Sequence, residues 1–234
     1  MALIAGWAGW PRMVVATVWA FSAAAGAGEG AEERVRMTAE AMTALREGGY
    51  VVVMSHGPTV IDEFDMGAGV PGACVHQRPL TDTGRLMASG VGKLLAREGV
   101  PVGVVVSSRY CRGLETAERI AQYTHTSKLR SLDELNELSE AATRADMSQR
   151  AEALRRLASA APATGTNTIV VTHRSNMAAA FGDAFSTVGD GEFAVFRPYA
   201  SGPVQPYRLA YRFRVEDLSN YAKASQRNPR PLGP

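Results

Sequence analysis

The sequence predicts an α/β fold, a three-layer α/β/α sandwich around a mostly parallel central sheet. Two observations carry this. The segments 50–55, 101–108 and 167–173 are mostly apolar and rich in β-branched residues, as strands covered on both faces are. Between them run longer segments with apolar residues at helical spacing, so strands alternate with helices that can serve as crossovers. A third observation locates a site. His56, Ser107, Ser108 and His173 fall at the carboxyl ends of those strands, where open α/β sheets bind ligands.

The elements follow in order. One charge, Arg12, precedes an apolar run from Met13 that closes in small residues, Ala25-Gly26-Ala27. A basic start, an apolar stretch and an A-x-A site predict a secretory signal over residues 1–27. The run is short for a membrane span, which takes about 20 apolar residues, and an uncleaved anchor is the alternative. Residues 28–224 are expected to form one domain, and residues 225–234, rich in proline, a disordered tail. The protein is therefore expected to be exported, to the periplasm or outside the cell.

After the signal, an amphipathic stretch ends at Gly48-Gly49, a helix with a glycine stop. Tyr50–Ser55 is the first strand. A helix opens at Thr81, with Leu86, Val91, Leu94 and Leu95 at helical spacing. Pro101–Ser108 is the second strand and Cys111–Thr124 the next helix. Ser127–Leu132 is a short strand, Asp146–Pro162 a helix closed by its proline, and Asn167–His173 the third strong strand. Ser175–Phe185 is again helical, and Gly191–Pro198 and Tyr207–Leu218 are late strands.

Charge and composition narrow the function. With 25 basic against 23 acidic residues, spread along the chain, there is no footprint for nucleic acid. Gly90-Val91-Gly92-Lys93 lacks the spacing of a phosphate-binding loop and sits inside a helical pattern. Two histidines and scattered acids show no ligand spacing, so neither a metal nor another cofactor is expected. Cys74 and Cys111 are the only cysteines. In an oxidising compartment they form one disulfide or stay as two thiols.

His56 is followed by Gly57, which lets a ligand or a backbone come close. Alone it reads more simply as a polar residue at a strand end. Arg112 starts a helix, where free N–H groups and a planar guanidinium suit phosphate oxygens. Alone it reads equally as a surface arginine paired with Glu115 or Glu118.

Together, Met54-Ser-His-Gly-Pro-Thr59, Leu80-Thr-Asp-Thr-Gly-Arg85, the run from Ser107 to Ala117, and Val170-Val-Thr-His-Arg-Ser-Asn176 resemble the histidine phosphatase superfamily, the phosphoglycerate-mutase-like proteins. The wording around Cys74 to Arg85 and around His173 is similar to an exported bacterial branch. The resemblance runs from about Tyr50 to Arg197. It implies that His56 is the nucleophile that takes a phosphoryl group, and that Arg112 and His173 line the phosphate pocket. It implies a carboxylate as general acid, for which Glu137 is favoured over Glu134. It also exposes a departure. The family's first motif begins with arginine, and this chain has Ser55, a hydroxyl in place of a phosphate clamp. Arg109, Arg174, Arg78 and His76 are the nearby cationic side chains that could substitute. A Cys74–Cys111 bridge would pin the segment after the first strand at the rim of the pocket.

The expected activity is that of an exported phosphatase hydrolysing a phosphate monoester through a phosphohistidine at His56, weakened by Ser55. The alternative is an inactive member that binds a phosphorylated or anionic ligand. The expected partner is a phosphorylated small molecule or peptide, with a membrane involved only if residues 1–27 are retained. Specificity would come from the loop Asp62–Gly72 and the segment around Glu137.

Overall fold

The computed structural model describes residues 36–60, 73–126, 128–137, 142–186, 189–199 and 206–227. All of them lie in one unit, Arg34–Pro234. The proposed signal, residues 1–27, and the loop Asp62–Gly72 lie outside the described residues.

Six strands form one sheet: β1 Val51–Ser55, β2 Val102–Ser108, β3 Leu129–Leu132, β4 Asn167–Thr172, β5 Phe193–Pro198 and β6 Tyr207–Phe213, in the order β3-β2-β4-β1-β5-β6. The first four are mutually parallel, and β5 joins β1 antiparallel, with β6 antiparallel to β5. The parallel core is thus extended by an antiparallel hairpin edge. β1 and β4 are buried at every position, which is why both read as unbroken apolar runs rather than as alternation.

The helices are α1 (described over residues 36–47), α2 Asp82–Arg97, α3 Cys111–Thr124, α4 Arg144–Ser159, α5 Arg174–Phe181 and α6 Val215–Arg227. Strand residues alternate between the two faces. Val52, Met54, Ile169 and Val171 pack with residues of α1, α2, α3 and α6. Val51, Val53, Val170 and Ala194 pack with α4 and α5. Helices on both faces make the three layers.

Local chemistry sets the boundaries. Gly48 and Gly49 have φ of +78° and +89°, which stops α1 and turns the chain into β1. The Thr81 side chain accepts from the Gly84 N–H and caps α2. Thr143 and Asp146 close a capping box on α4.

Three expectations need correction. Leu86, placed on the inner face of α2 by its spacing, is 73% exposed, while Val91, Leu94 and Leu95 are buried. A helix shows a stripe, and Leu86 falls outside it. Residues 215–218, read as the end of a strand, begin α6, whose first turn is closed by the Asp217 carboxylate accepting from the Arg214 N–H. That helix continues to Arg227, so residues 225–227 are helical rather than part of a disordered tail, and residues 228–234 lie outside the described ones. Leu218 and Tyr221, both buried against the first face of the sheet, account for the extension. Among the described residues no helix is long and apolar enough to cross a membrane.

Candidate active site

The parallel strands β1, β2 and β4 end side by side, and their register puts Ser55 opposite Thr172. The residue after each of β1 and β4 is therefore a neighbour of the other. These are His56 and His173, whose ring centroids lie 5.1 Å apart at an angle of 65°. Two histidines far apart in sequence meet because parallel strands end at one edge.

Each imidazole is fixed differently. His56 Nδ1 lies 2.7 Å from the Gly57 carbonyl oxygen. A carbonyl only accepts, so Nδ1 carries the proton and Nε2 keeps its lone pair. Burial pushes the His56 pKa below its ordinary value. The Gly57 carbonyl opposes that shift, Arg112 adds to it, and the charges of Asp190 and Glu137 oppose it. His173 is fully buried, with Nε2 2.9 Å from the Ser108 hydroxyl at the end of β2. Burial holds its pKa well below the usual range, helped by His56, Arg112, Arg78 and Arg150.

Close backbone approach makes this possible. A Cβ on Gly57 would stand 2.9 Å from the Gly84 carbonyl oxygen in the first turn of α2. Gly57 is required by that contact; a positive φ is not. A Cβ on Gly113 would collide with the Ser108 hydroxyl that holds His173. Thr116 then ties α3 to the turn after His56, accepting from the Gly57 N–H at 3.2 Å and donating to the Arg112 carbonyl at 2.7 Å.

Arg112, in the first turn of α3, is the largest fully buried side chain among the described residues. Its guanidinium lies over the Tyr110 ring, 4.5 Å from the centroid, and that ring meets His173 edge-on at 5.4 Å. Its Nη2 donates to Glu137 Oε2 at 2.6 Å. Glu137 is delivered from the other face. Asn176 in α5 donates to the carbonyls of Leu135 and Asn136 at 2.9 and 3.1 Å, which anchors the chain just before Glu137. His173 Nδ1 lies 3.6 Å from the same Oε2.

The structure thus brings together His56, Arg112, Glu137 and His173. Glu134 stays exposed in the short turn Asp133–Leu135, outside the cluster. Ser55, assigned to the phosphate pocket, is turned elsewhere. Its hydroxyl donates to the Gly189 carbonyl at 2.8 Å and accepts from the Gly191 N–H at 2.9 Å, so it fastens the loop before β5. It is in the first motif but not in the cluster, because a short side chain bonds what lies closest. Among the candidate substitutes, Arg109 pairs with Asp133 at the surface, and His76 and Arg174 are exposed. Arg78 does reach the cluster, with Nη2 3.7 Å from Glu137 Oε2.

Cys74 and Cys111 form a disulfide, with Cα atoms 5.6 Å apart, joining the short turn Cys74–His76 to the start of α3. Sequence reasoning assigned no role to Tyr110, Gln77, Asn176 or Asp190. The first three act through ring contacts or hydrogen bonds across the fold, and Asp190 through its charge, none of which leaves a local signal. Among the described residues no cluster of metal-ligating side chains occurs.

Residues 75–143 match the family model described as histidine phosphatase superfamily (branch 1). No curated protein sequence matches the chain significantly. Similar solved structures include YhfR from Bacillus stearothermophilus, at 18% identity and TM-score 0.53, covering 72% of this chain and 98% of that one. The protein histidine phosphatase SixA complexed with tungstate aligns at 18% identity and TM-score 0.52, covering 72% and 99%. A phosphoserine phosphatase mutant from Entamoeba histolytica in complex with phosphoserine aligns at 12% identity and TM-score 0.51, covering 72% and 98%. These likenesses show the fold, a phosphoglycerate-mutase-like α/β sandwich, and residues 75–143 are similar to the histidine phosphatase superfamily.

Proposed function

We propose that this protein is a phosphatase that hydrolyses a phosphate monoester through a covalent intermediate on His56. The observation that carries the reading is the approach of His56 Nδ1 to the Gly57 carbonyl oxygen. The Nδ1 proton is committed to the Gly57 carbonyl, and burial disfavours the imidazolium, so Nε2 is a neutral nucleophile near pH 7.

In the first step the Nε2 lone pair attacks phosphorus and the P–O bond to the leaving group breaks. Glu137, as the general acid, gives a proton to the departing oxygen. In the second step water attacks phosphorus and passes a proton to the Glu137 carboxylate. The P–N bond then breaks, and its electron pair returns to His56. The Arg112 guanidinium balances the charge that spreads over the phosphoryl oxygens, and His173, held neutral by burial, offers them an N–H. The family match over residues 75–143 and the phosphatases of like fold support the reaction class. The export read from residues 1–27 belongs to the same proposal, and a phosphorylated small molecule or peptide remains the expected substrate.

One observation favours a second reading, a binder without turnover. Ser55 supplies no positive charge, and its hydroxyl is committed to the loop at Gly189–Gly191. Hydrolysis of 4-nitrophenyl phosphate by the full chain and by His56→Ala separates the two. Turnover that vanishes in the variant, with a phosphoramidate on His56 trapped by mass spectrometry, supports the phosphatase. Phosphate binding with no turnover in the wild type supports the binder.

A further inference from the structure

One oxygen, Glu137 Oε2, gathers three nitrogen groups. Arg112 Nη2 lies at 2.6 Å, His173 Nδ1 at 3.6 Å and Arg78 Nη2 at 3.7 Å. They come from α3, from the end of β4, and from the segment after the disulfide turn. The side chains of Arg112 and His173 are fully buried, and His173 Nδ1 has no hydrogen-bond partner among the described residues. A buried N–H or lone pair left unsatisfied is costly, which suits this position to an incoming polar group. Arg78 is 31% exposed and stands at the open side.

The placement of Arg78 is not loose. The residue before it, Gln77, is buried and accepts from the Cys111 N–H at 2.7 Å, at the start of α3. The Cys74–Cys111 bridge ties the same turn to the same helix end. On the other side, the Pro79 carbonyl accepts from the Val60 N–H at 3.1 Å, and the Thr81 N–H donates to the Pro58 carbonyl at 2.9 Å. Arg78 is therefore held from both directions on a segment fastened to α3 and to the chain leaving His56. Its charge acts on buried His173, as a guanidinium close to the cluster would.

We propose that the Glu137 carboxylate marks the seat of the substrate phosphoryl group, and that Arg78 is its second guanidinium, supplying from the disulfide-tethered segment the charge that position 55 lacks. The proposal rests on the phosphatase reading of His56. A tetrahedral anion entering the seat displaces Glu137 Oε2 from the two arginines and leaves the carboxylate beside the leaving oxygen. Arg112 forms the buried floor and Arg78 the mouth. Planar guanidinium forks match phosphate oxygens in pairs, which a lysine ammonium does not.

The test is titration of inorganic phosphate into the full oxidised chain, followed by calorimetry, for wild type, Arg78→Ala, Arg78→Lys and His56→Ala. Losing one charge-assisted contact is expected to weaken phosphate roughly ten- to hundredfold in Arg78→Ala. Arg78→Lys should recover part of the affinity, and the KM for 4-nitrophenyl phosphate should rise with the phosphate Kd. Unchanged near-ultraviolet circular dichroism excludes unfolding, and Arg78→Gln serves if the alanine variant is unstable. Wild-type phosphate affinity in Arg78→Ala overturns the proposal even if turnover still depends on His56. Turnover that survives His56→Ala overturns the phosphatase reading alone, and the phosphate titration still judges Arg78. No phosphate binding by any form overturns the seat itself.

Discussion

The two walls of the site are built on different principles. The wall of His56, His173 and Arg112 stands on strand ends and the first turn of a helix, buried and crossed by short contacts. The wall of Arg78 and Glu137 stands on connecting segments and is partly exposed. The first wall is fixed by burial and by short contacts to its neighbours. The second is placed by a few hydrogen bonds and one covalent bridge. Chemistry that needs fixed geometry sits on the former, and groups that must yield to a ligand sit on the latter.

Removing the floor of the first wall should produce the largest effect. Arg112→Ala strands Glu137 and empties the largest described buried side chain, and leaving a buried pair broken costs about 3–5 kcal/mol. Chemical denaturation should show that loss, and kcat/KM for an aryl phosphate should fall about a thousandfold or more. A variant that retained both would show that the strand-end wall is not what organises the site.

Reducing the disulfide tests the second wall. The bridge spans 37 residues, and its loss is expected to cost roughly 2–4 kcal/mol. Phosphate affinity should fall severalfold in the wild type and no further in Arg78→Ala. Equal losses in both would mean that the bridge serves the fold but not Arg78.

The pH dependence of stability reports the first wall. Both histidines have folded pKa values below the unfolded value of about 6.5. As pH falls through that value, the unfolded chain takes up protons that the folded chain refuses, so stability is full above about pH 6.5 and declines towards pH 5. The urea midpoint should follow that course, and His173→Asn should flatten it. An unflattened curve would assign the decline to other groups.

Asn176→Ala releases the latch behind Glu137 and should cost about 1–3 kcal/mol, with kcat reduced more than KM. Equal effects on both parameters would indicate a general loosening. The smallest effect is expected at Arg109→Ala. Its exposed pair with Asp133 lies outside the cluster, and the change should stay within about 0.5 kcal/mol with turnover unchanged. Ser55→Arg tempts as a repair of the family motif. Because Ser55 is buried and holds the loop at Gly189–Gly191, the expected result is a less stable protein with no gain in turnover. A gain would mean that the loop yields and that position 55 does face the seat.

What the sequence made legible follows the same division. β1, β2 and β4 showed themselves as unbroken apolar runs, and their ends pointed to His56 and His173, because burial on both faces leaves a strong local pattern. Arg112 and Glu137 needed the family resemblance, since an arginine in a first helical turn and a glutamate in a loop carry no signal of burial. Arg78 appeared only as one of several nearby cationic side chains. Its distinction is an atom-to-atom approach made through Gln77, Cys74 and the start of α3, which no spacing records. Ser55 shows the reverse. Its position in the motif was plain, but the partner of its hydroxyl lies 134 residues away. Helix α6 went unread because Tyr207–Phe213 runs into it with no glycine or proline between.

The bridge between Cys74 and Cys111 also places the protein in time. Neither cysteine belongs to the apolar core on either face of the sheet, so that core is expected to form while the thiols are still reduced. Only oxidation then fastens the segment that carries Arg78. A molecule of this design would hold its ligand more loosely with its thiols reduced and more firmly once they are oxidised, so the redox state of its surroundings would set its grip.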